Sequence, residues 1–113
     1  MYKIIACDLD ETLLSDDRTI SKENIEAIQK AKELGVKFVP ATGRGFNTVG
    51  GTLKDLGLYD LENEYVISYN GGAITENKGN KLLHFEGISF EKASVLYKRG
   101  LSYDVCKIGR ASC

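Results

Sequence analysis

The alternation of apolar runs with an amphipathic segment along the first 41 residues constrains the fold more than any other feature. Residues 3–9 are β-branched and apolar without polar alternation, which is typical of a parallel strand covered on both faces. Ser21 precedes apolar residues at helical spacing that end before Gly35, so this segment predicts an amphipathic helix. Residues 36–41 predict a second buried strand. The order β-α-β favours a right-handed crossover within an α/β sheet.

The rest of the chain continues this alternation and then adds a hairpin. The further predicted elements are a helix over 46–56 ended by Gly57, a strand over 65–69, hairpin strands over 73–75 and 81–85 around a turn at 77–80, a helix capped by Ser89 through about residue 98, and a strand over 101–106. The predicted fold class is α/β, a partial Rossmann-like three-layer sandwich whose parallel sheet carries a β-hairpin.

Size and charge narrow the classes of partner. A chain of 113 residues fits one small domain, and 27% charged with 42% hydrophobic residues is typical of a globular protein. A formal net charge of -1, with scattered Lys and Arg, argues against binding to nucleic acid or to a membrane. The apolar N-terminal stretch is too short for a signal peptide. We therefore expect a cytoplasmic protein whose partner is a small molecule.

Two carboxylates follow the first predicted strand, at the carboxyl edge where α/β sheets bind ligands. Asp8 and Asp10 stand at i and i+2 after an apolar run, which is unfavourable unless a cation or a reactant uses them. Mg²⁺ prefers oxygen ligands and needs only one or two carboxylates beside a substrate phosphate. Asp8 is placed to attack phosphorus, and Asp10 to donate a proton to the leaving oxygen. The alternative is an Asx turn or a capping pair.

Two further segments at predicted strand ends suit a phosphate group. Thr42, Gly43 and Arg44 combine a hydroxyl, a glycine amide and a guanidinium, a set that binds phosphate at a helix N-terminus. Asn70 and Gly71 place an amide side chain and unhindered backbone after the third strand. The alternatives are a capping threonine beside a solvated arginine, and an ordinary tight turn. The coincidence of three such segments favours a phosphate site.

Residues 8–14 and 41–44 resemble the first two motifs of the haloacid dehalogenase-like hydrolases, within them the Cof-type sugar-phosphatase group. The resemblance implies that Asp8 forms an aspartyl-phosphate and binds Mg²⁺. It implies that Asp10 acts as general acid and then base, with its backbone carbonyl on the metal. Thr42 and Gly43 would hold the phosphoryl group, while Asn70 and Gly71 would approach the substrate. Glu11 departs from the family pattern, in which glycine is more usual at this position.

The family's third motif, a lysine, and its fourth, an acidic segment that completes the metal site, have no counterpart in this sequence. The resemblance therefore implies an N-terminal fragment, truncated at the start of an inserted α/β cap, which is inactive alone. Residues 1–87 would belong to the core domain, 88–106 would begin the cap, and 107–113 would be a non-native adapter-derived tail. The strand at 3–9, central in the family, would lie at a sheet edge here.

Three functions are compatible with these residues. The leading prediction is a phosphatase whose full-length form hydrolyses sugar phosphates or similar small phosphomonoesters. A phosphomutase of the same superfamily would use the same aspartates but return the phosphoryl group to a sugar. A non-catalytic phosphate- or metal-binding α/β module, similar in outline to a response-regulator receiver, would bind phosphoryl groups without turnover.

Overall fold

Five strands and three helices make up the part of the chain that the structure, a computed structural model, describes, namely residues 2–104. In chain order they are β1 (Ile4–Asp8), α1 (Lys22–Glu33), β2 (Lys37–Ala41), α2 (Gly50–Leu56), β3 (Tyr65–Ser68), β4 (Ala73–Glu76), β5 (Lys81–Phe85) and α3 (Phe90–Gly100). The strands form one sheet in the order β1-β2-β3-β4-β5. The first three strands are parallel and the last two are antiparallel. The predicted α/β class with a hairpin is confirmed.

The register of the parallel strands brings their carboxyl ends to the same edge. In the β1–β2 pair, Asp8 lies opposite Ala41, and Ala41 in turn lies opposite Ile67 of β3. The backbone N–H of Thr42 continues this ladder by donating to the carbonyl of Ile67 over 2.9 Å. The segments that follow β1, β2 and β3 therefore leave the sheet as neighbours.

Helices α1 and α2 pack together over one face of the sheet. Ile28 of α1 and Leu53 of α2 join one buried cluster with Phe38 of β2 and Val66 of β3. The other buried members of this cluster are Leu9, Leu13, Leu14, Ile20, Val49, Leu56 and Leu58. Of the two helical layers of the predicted sandwich, residues 2–104 thus supply the one formed by α1 and α2.

The helix ends confirm most of the predicted capping and terminating residues. The Ser21 hydroxyl accepts from the N–H of Asn24 at the start of α1, and Gly35 follows α1 with φ of 84°. Gly57 ends α2 with φ of 70°. However, the helix predicted over 46–56 is divided into a short turn, Phe46–Thr48, and α2 itself. Two successive glycines at the start of α2 explain the break, because glycine is a poor helix former.

Strand β1 lies at the edge of the sheet, as the resemblance implied for this chain. Its residues are mostly exposed, with Ile4 63% and Ile5 42% accessible to solvent. The prediction from the apolar run alone, a strand covered on both faces, is therefore wrong for the described chain. The physical reason is that residues 2–104 supply only the helical layer of α1 and α2, and β1 also lies at the sheet edge with a neighbouring strand on one side.

Helix α3 begins after Ser89 as predicted, with the Ser89 hydroxyl accepting from the N–H of Lys92. The strand predicted over 101–106 is wrong over 101–104, which form turns. The N–H of Leu101 still bonds to the carbonyl of Tyr97, so the chain continues the helical hydrogen-bonding pattern there. Residues 105–106 and the tail at 107–113 lie outside the described range, and the division into core and cap stays a prediction. Among the described helices, none has the length and apolar character needed to cross a membrane.

Candidate active site

A tight turn after β1 presents the two predicted catalytic carboxylates to solvent. Leu9 is fully buried between them, and its carbonyl accepts from the N–H of Leu14 over 2.9 Å. Asp8 and Asp10 are both exposed, whereas Glu11 occupies the left-handed region with φ of 61°. The anchored leucine thus fixes a turn in which both carboxylates lie at the surface, above the carboxyl end of β1.

Hydrogen bonds hold the Asp8 side chain on both of its oxygens. The N–H of Leu9 donates to Oδ1 over 2.9 Å, and the hydroxyl of Thr12 donates to Oδ2 over 3.2 Å. Thr12 has no role among the sequence-based predictions, although its position four residues after the proposed nucleophile could have indicated one. Asp8 does make the local turn that was the alternative interpretation. Each of its oxygens nevertheless keeps a free lone pair for a further partner.

The loop after β2 places a buried hydroxyl beside this turn. Thr42 is only 5% exposed, and its Oγ1 accepts from the N–H of Arg44 over 3.0 Å. The hydroxyl proton is therefore still available to donate to a ligand oxygen. Since α2 begins only at Gly50, Thr42 caps no helix in this region. The alternative interpretation of Thr42 as a capping residue for that helix is wrong.

The loop after β3 is joined to the loop after β2 by backbone hydrogen bonds. The N–H of Asn70 donates to the carbonyl of Thr42 over 3.0 Å, and the N–H of Tyr69 to the carbonyl of Arg44 over 3.1 Å. Tyr69, Asn70 and Gly71 have successive φ values of 51°, 54° and 93°. Such a run is unfavourable for residues other than glycine, so the surrounding contacts must hold it.

The Asn70 side chain packs directly on Gly43. A Cβ atom at position 43 would lie 3.0 Å from Asn70 Oδ1, so glycine allows this close approach. Gly71, in contrast, has open space where a Cβ atom would stand, and its contribution is the positive φ alone. Gly43 and Asn70, both predicted to bind phosphate, are thus in contact in the fold, while their role toward phosphate stays a prediction.

Tyr69 and Phe46 form an aromatic contact between these two loops. Their rings meet edge to face, with centroids 6.2 Å apart at 85°, and the Tyr69 hydroxyl packs against Gly45. Gly45 and Phe46 have no site role among the sequence-based predictions. Gly45 could have been noticed from the sequence, because it is a second glycine only two residues after Gly43.

An ion pair connects the first loop to the second. Arg44 Nε lies 3.0 Å from Asp10 Oδ2, with the two side chains 31% and 48% exposed. Nη2 of the same guanidinium is buried without a hydrogen-bond acceptor among the described residues. Arg44, predicted to bind phosphate, is in this state directed to the proposed general acid.

The donor set suits part of a Mg²⁺ site. Asp8 and Asp10 offer solvent-exposed oxygen ligands, the type that Mg²⁺ prefers. Across residues 2–104, no three Asp, Glu, His or Cys side chains cluster closely enough to hold a metal by themselves. The described residues therefore fit Mg²⁺ as part of its set of protein ligands, and not as the whole set.

A model of the haloacid dehalogenase-like hydrolases matches residues 5–108 of this sequence, which covers the whole site just described. The chain belongs to this family. YxeH of Bacillus subtilis is 37% identical over 101 residues, which are 89% of this chain and 37% of that protein. The 5-amino-6-(5-phospho-D-ribitylamino)uracil phosphatase YcsE of Bacillus subtilis is 39% identical over 90 residues, 76% of this chain and 34% of that enzyme.

The fold is likewise shared within the haloacid dehalogenase-like hydrolases. The subclass IIB sugar phosphatase BT4131 superimposes with a TM-score of 0.70 at 27% identity, over 88% of this chain and 37% of that structure. The sequence thus spans little more than a third of the length of these relatives.

Proposed function

We propose that the full-length protein is a Mg²⁺-dependent phosphatase that hydrolyses small phosphomonoesters through an aspartyl-phosphate on Asp8. The observation that supports this most is the convergence of three loops at one sheet edge. Asp8 ends β1, the strand next to β2. The Thr42 N–H donates to the carbonyl of Ile67 in β3, and the Thr42 carbonyl accepts from the N–H of Asn70 in the loop after β3. The proposed nucleophile and the proposed phosphate-binding hydroxyl therefore lie on adjacent strand ends.

In the first half of the reaction, an oxygen of Asp8 attacks the phosphorus atom and the bond to the leaving oxygen breaks. Asp10 gives its proton to that oxygen, so the product departs as a neutral alcohol. Thr42 donates its hydroxyl proton to a phosphoryl oxygen, and the Gly43 amide supports another. The bonds from Leu9 and Thr12 orient the Asp8 carboxylate for this attack.

In the second half, water attacks the phosphorus atom of the aspartyl-phosphate and Asp10 accepts a proton from it. The bond between phosphorus and the Asp8 oxygen then breaks, which releases phosphate and restores both carboxyl groups. The Asp8 carboxylate and the Asp10 backbone carbonyl would hold Mg²⁺. When bound, this ion supplies positive charge that offsets the charge on the phosphoryl oxygens.

The proposed substrate class is a small phosphorylated metabolite such as a sugar phosphate. Two similarities support it, since BT4131 is described as a sugar phosphatase and YcsE as a phosphatase of a phosphoribitylamino compound. Nucleic acid and membrane partners are not part of the proposal. A cytoplasmic location remains an expectation from the sequence.

Release of phosphate from a panel of small phosphomonoesters by the full-length protein tests the proposal. Turnover is expected only with Mg²⁺ and should be lost in Asp8→Asn, because loss of the nucleophile has no substitute. Asp55→Asn removes an exposed carboxylate from α2, away from the site, and should keep full activity. Unchanged turnover in Asp8→Asn would overturn the proposal. With a hexose 1-phosphate, an isomerised sugar phosphate in place of free phosphate would favour a phosphomutase.

A further inference from the structure

The ion pair between Arg44 and Asp10 joins two residues that the proposed reaction uses for different tasks. Arg44 would bind the phosphoryl group, whereas Asp10 would transfer a proton. In the structure, Nε of the first lies 3.0 Å from Oδ2 of the second. Both side chains are partly exposed, and ion pairs in such positions are weak. The pair is therefore one that a stronger anion can break.

The guanidinium also has unused capacity for an anion. Nη2 is buried and makes no hydrogen bond to any of the described residues, whereas Nε faces Asp10 Oδ2. A buried donor without an acceptor is unfavourable, so a ligand that satisfies it is favoured. The planar guanidinium matches the geometry of phosphate as well as that of carboxylate.

The backbone of Arg44, in contrast, is fixed. Its N–H donates to Thr42 Oγ1 over 3.0 Å and its carbonyl accepts from the N–H of Tyr69 over 3.1 Å. A change of partner must therefore occur by rotation of the side chain alone. Thr42, the proposed phosphoryl ligand, lies two residues away, so the guanidinium stays within reach of the phosphoryl group.

We propose that Arg44 is a positioning residue with two alternative partners, an inference that rests on the proposed phosphatase function. In the free protein it holds the Asp10 side chain against the second loop. When the phosphoryl group binds at Thr42, the guanidinium turns to it and releases Asp10, which can then reach the leaving oxygen. Asp10 and the phosphoryl group thus compete for one guanidinium, and phosphate binding is coupled to the state of the ion pair.

A double-mutant cycle on phosphate affinity tests this competition. The full-length protein, with Mg²⁺ present, is titrated with inorganic phosphate by calorimetry as wild type, Asp10→Asn, Arg44→Gln and the double variant. Asp10→Asn should bind phosphate roughly two- to five-fold more tightly when Arg44 is present, because it removes the competitor. In the Arg44→Gln background this gain should fall below two-fold. Equal gains in the two backgrounds would overturn the inference.

Glu11→Gln provides the matched control, since Glu11 adjoins Asp10 but forms no ion pair within the described range. It removes a similar negative charge and should change phosphate affinity equally in both backgrounds. A background-dependent effect of Glu11→Gln as large as that of Asp10→Asn would contradict the proposal. Because a misfolded variant would bind no phosphate, Arg44→Lys is measured as well. Lysine keeps the positive charge without the planar guanidinium group, so the gain in phosphate affinity from Asp10→Asn should be intermediate in this background. A gain as large as in the presence of Arg44 would count against the proposal.

Steady-state kinetics give a second readout that a purely structural role would not produce. Arg44→Gln should raise KM and lower kcat together, because the guanidinium would contact the phosphoryl group in both the bound substrate and the transition state. Asp10→Asn should lower kcat without raising KM, and a raised KM would contradict the competition. Failure of the proposed function is recognised separately, since it appears as turnover that persists in Asp8→Asn. An inactive Asp8→Asn without Arg44–Asp10 coupling would remove only this inference.

Discussion

The hydroxyl group of Tyr69 packs against Gly45 so closely that a Cβ atom at position 45 would lie 2.6 Å from Tyr69 Oη. The same atom would lie 2.7 Å from Asn47 Oδ1 and 2.9 Å from Tyr69 Cζ. Through this contact, the loop after β3 packs against the loop after β2. It therefore helps to hold the unfavourable backbone of Tyr69 and Asn70 beside the proposed phosphate site.

Gly45→Ala should destabilise the full-length protein by about 1–3 kcal/mol, because the added methyl group has no room beside the tyrosine ring. Activity should fall as well, since Asn70 and Thr42 are joined to the displaced backbone. Urea denaturation and phosphate release measure the two effects. Gly51→Ala is the matched control, as nothing lies within 4 Å of its Cβ position in α2. That variant should gain about 0.5–1 kcal/mol, and equal behaviour of the two would refute the steric argument.

Thr12→Val should lower kcat by a few-fold with little change in stability. The substitution keeps the shape of the side chain but removes the hydroxyl that donates to Asp8 Oδ2 over 3.2 Å. A hydrogen bond to a charged group contributes about 1.5–3 kcal/mol when buried, and less at this exposed position. Thr12→Ser retains the donor and should keep most of the activity. If Thr12→Ser and Thr12→Val were equally impaired, the orienting role of the hydroxyl would be rejected.

Cys7 should react slowly with iodoacetamide in the folded full-length protein near pH 8. Partial burial, and secondarily the adjacent Asp8, raise the pKa of the Cys7 thiol above its ordinary value, so the reactive thiolate is scarce. Because the folded pKa is raised, the associated stability is present below the ordinary thiol pKa and is lost as pH rises through the folded value. Peptide mapping of the alkylated protein, native and in urea, measures the reaction. Equal rates in the two states at pH 8 would contradict the shift.

Residues 1–113 expressed alone should aggregate and lack phosphatase activity even with saturating Mg²⁺. Strand β1 has an unpaired side in the described sheet, and Ile4 and Ile5 are exposed beside it. An apolar edge of this kind is a template for pairing with other chains. Size-exclusion chromatography, thermal melting and a phosphate-release assay test both parts. Ile4→Lys should reduce aggregation, whereas Leu34→Lys, which alters an exposed leucine beyond α1, should not.

A monomer with a sharp cooperative melt would refute the stability part of this prediction. Turnover by residues 1–113 that depends on Mg²⁺ and disappears in Asp8→Asn would refute the expectation that a further lysine and a further acidic segment are required. The two outcomes are independent, because pairing of strand edges and charge on the phosphoryl group are different physical effects.

The order of elements could be predicted from the sequence because the signals are local. Ser21 and Ser89 each cap the helix that follows, and Gly57 ends α2 with a positive φ. Each signal acts within one turn of the backbone, so no knowledge of distant residues was required. The predicted strand over 101–106 was wrong over 101–104, since an apolar composition alone does not distinguish a strand from the last turn of a helix.

The candidate site residues could also be proposed from sequence, since the carboxyl ends of neighbouring parallel strands meet at one edge. Only the tertiary structure decided how they contact one another. Arg44 pairs with Asp10, and Asn70 packs on Gly43. These contacts join residues 34 and 27 positions apart, and they depend on strand order and side-chain direction. Local composition carries no information about either, so packing alone determines them.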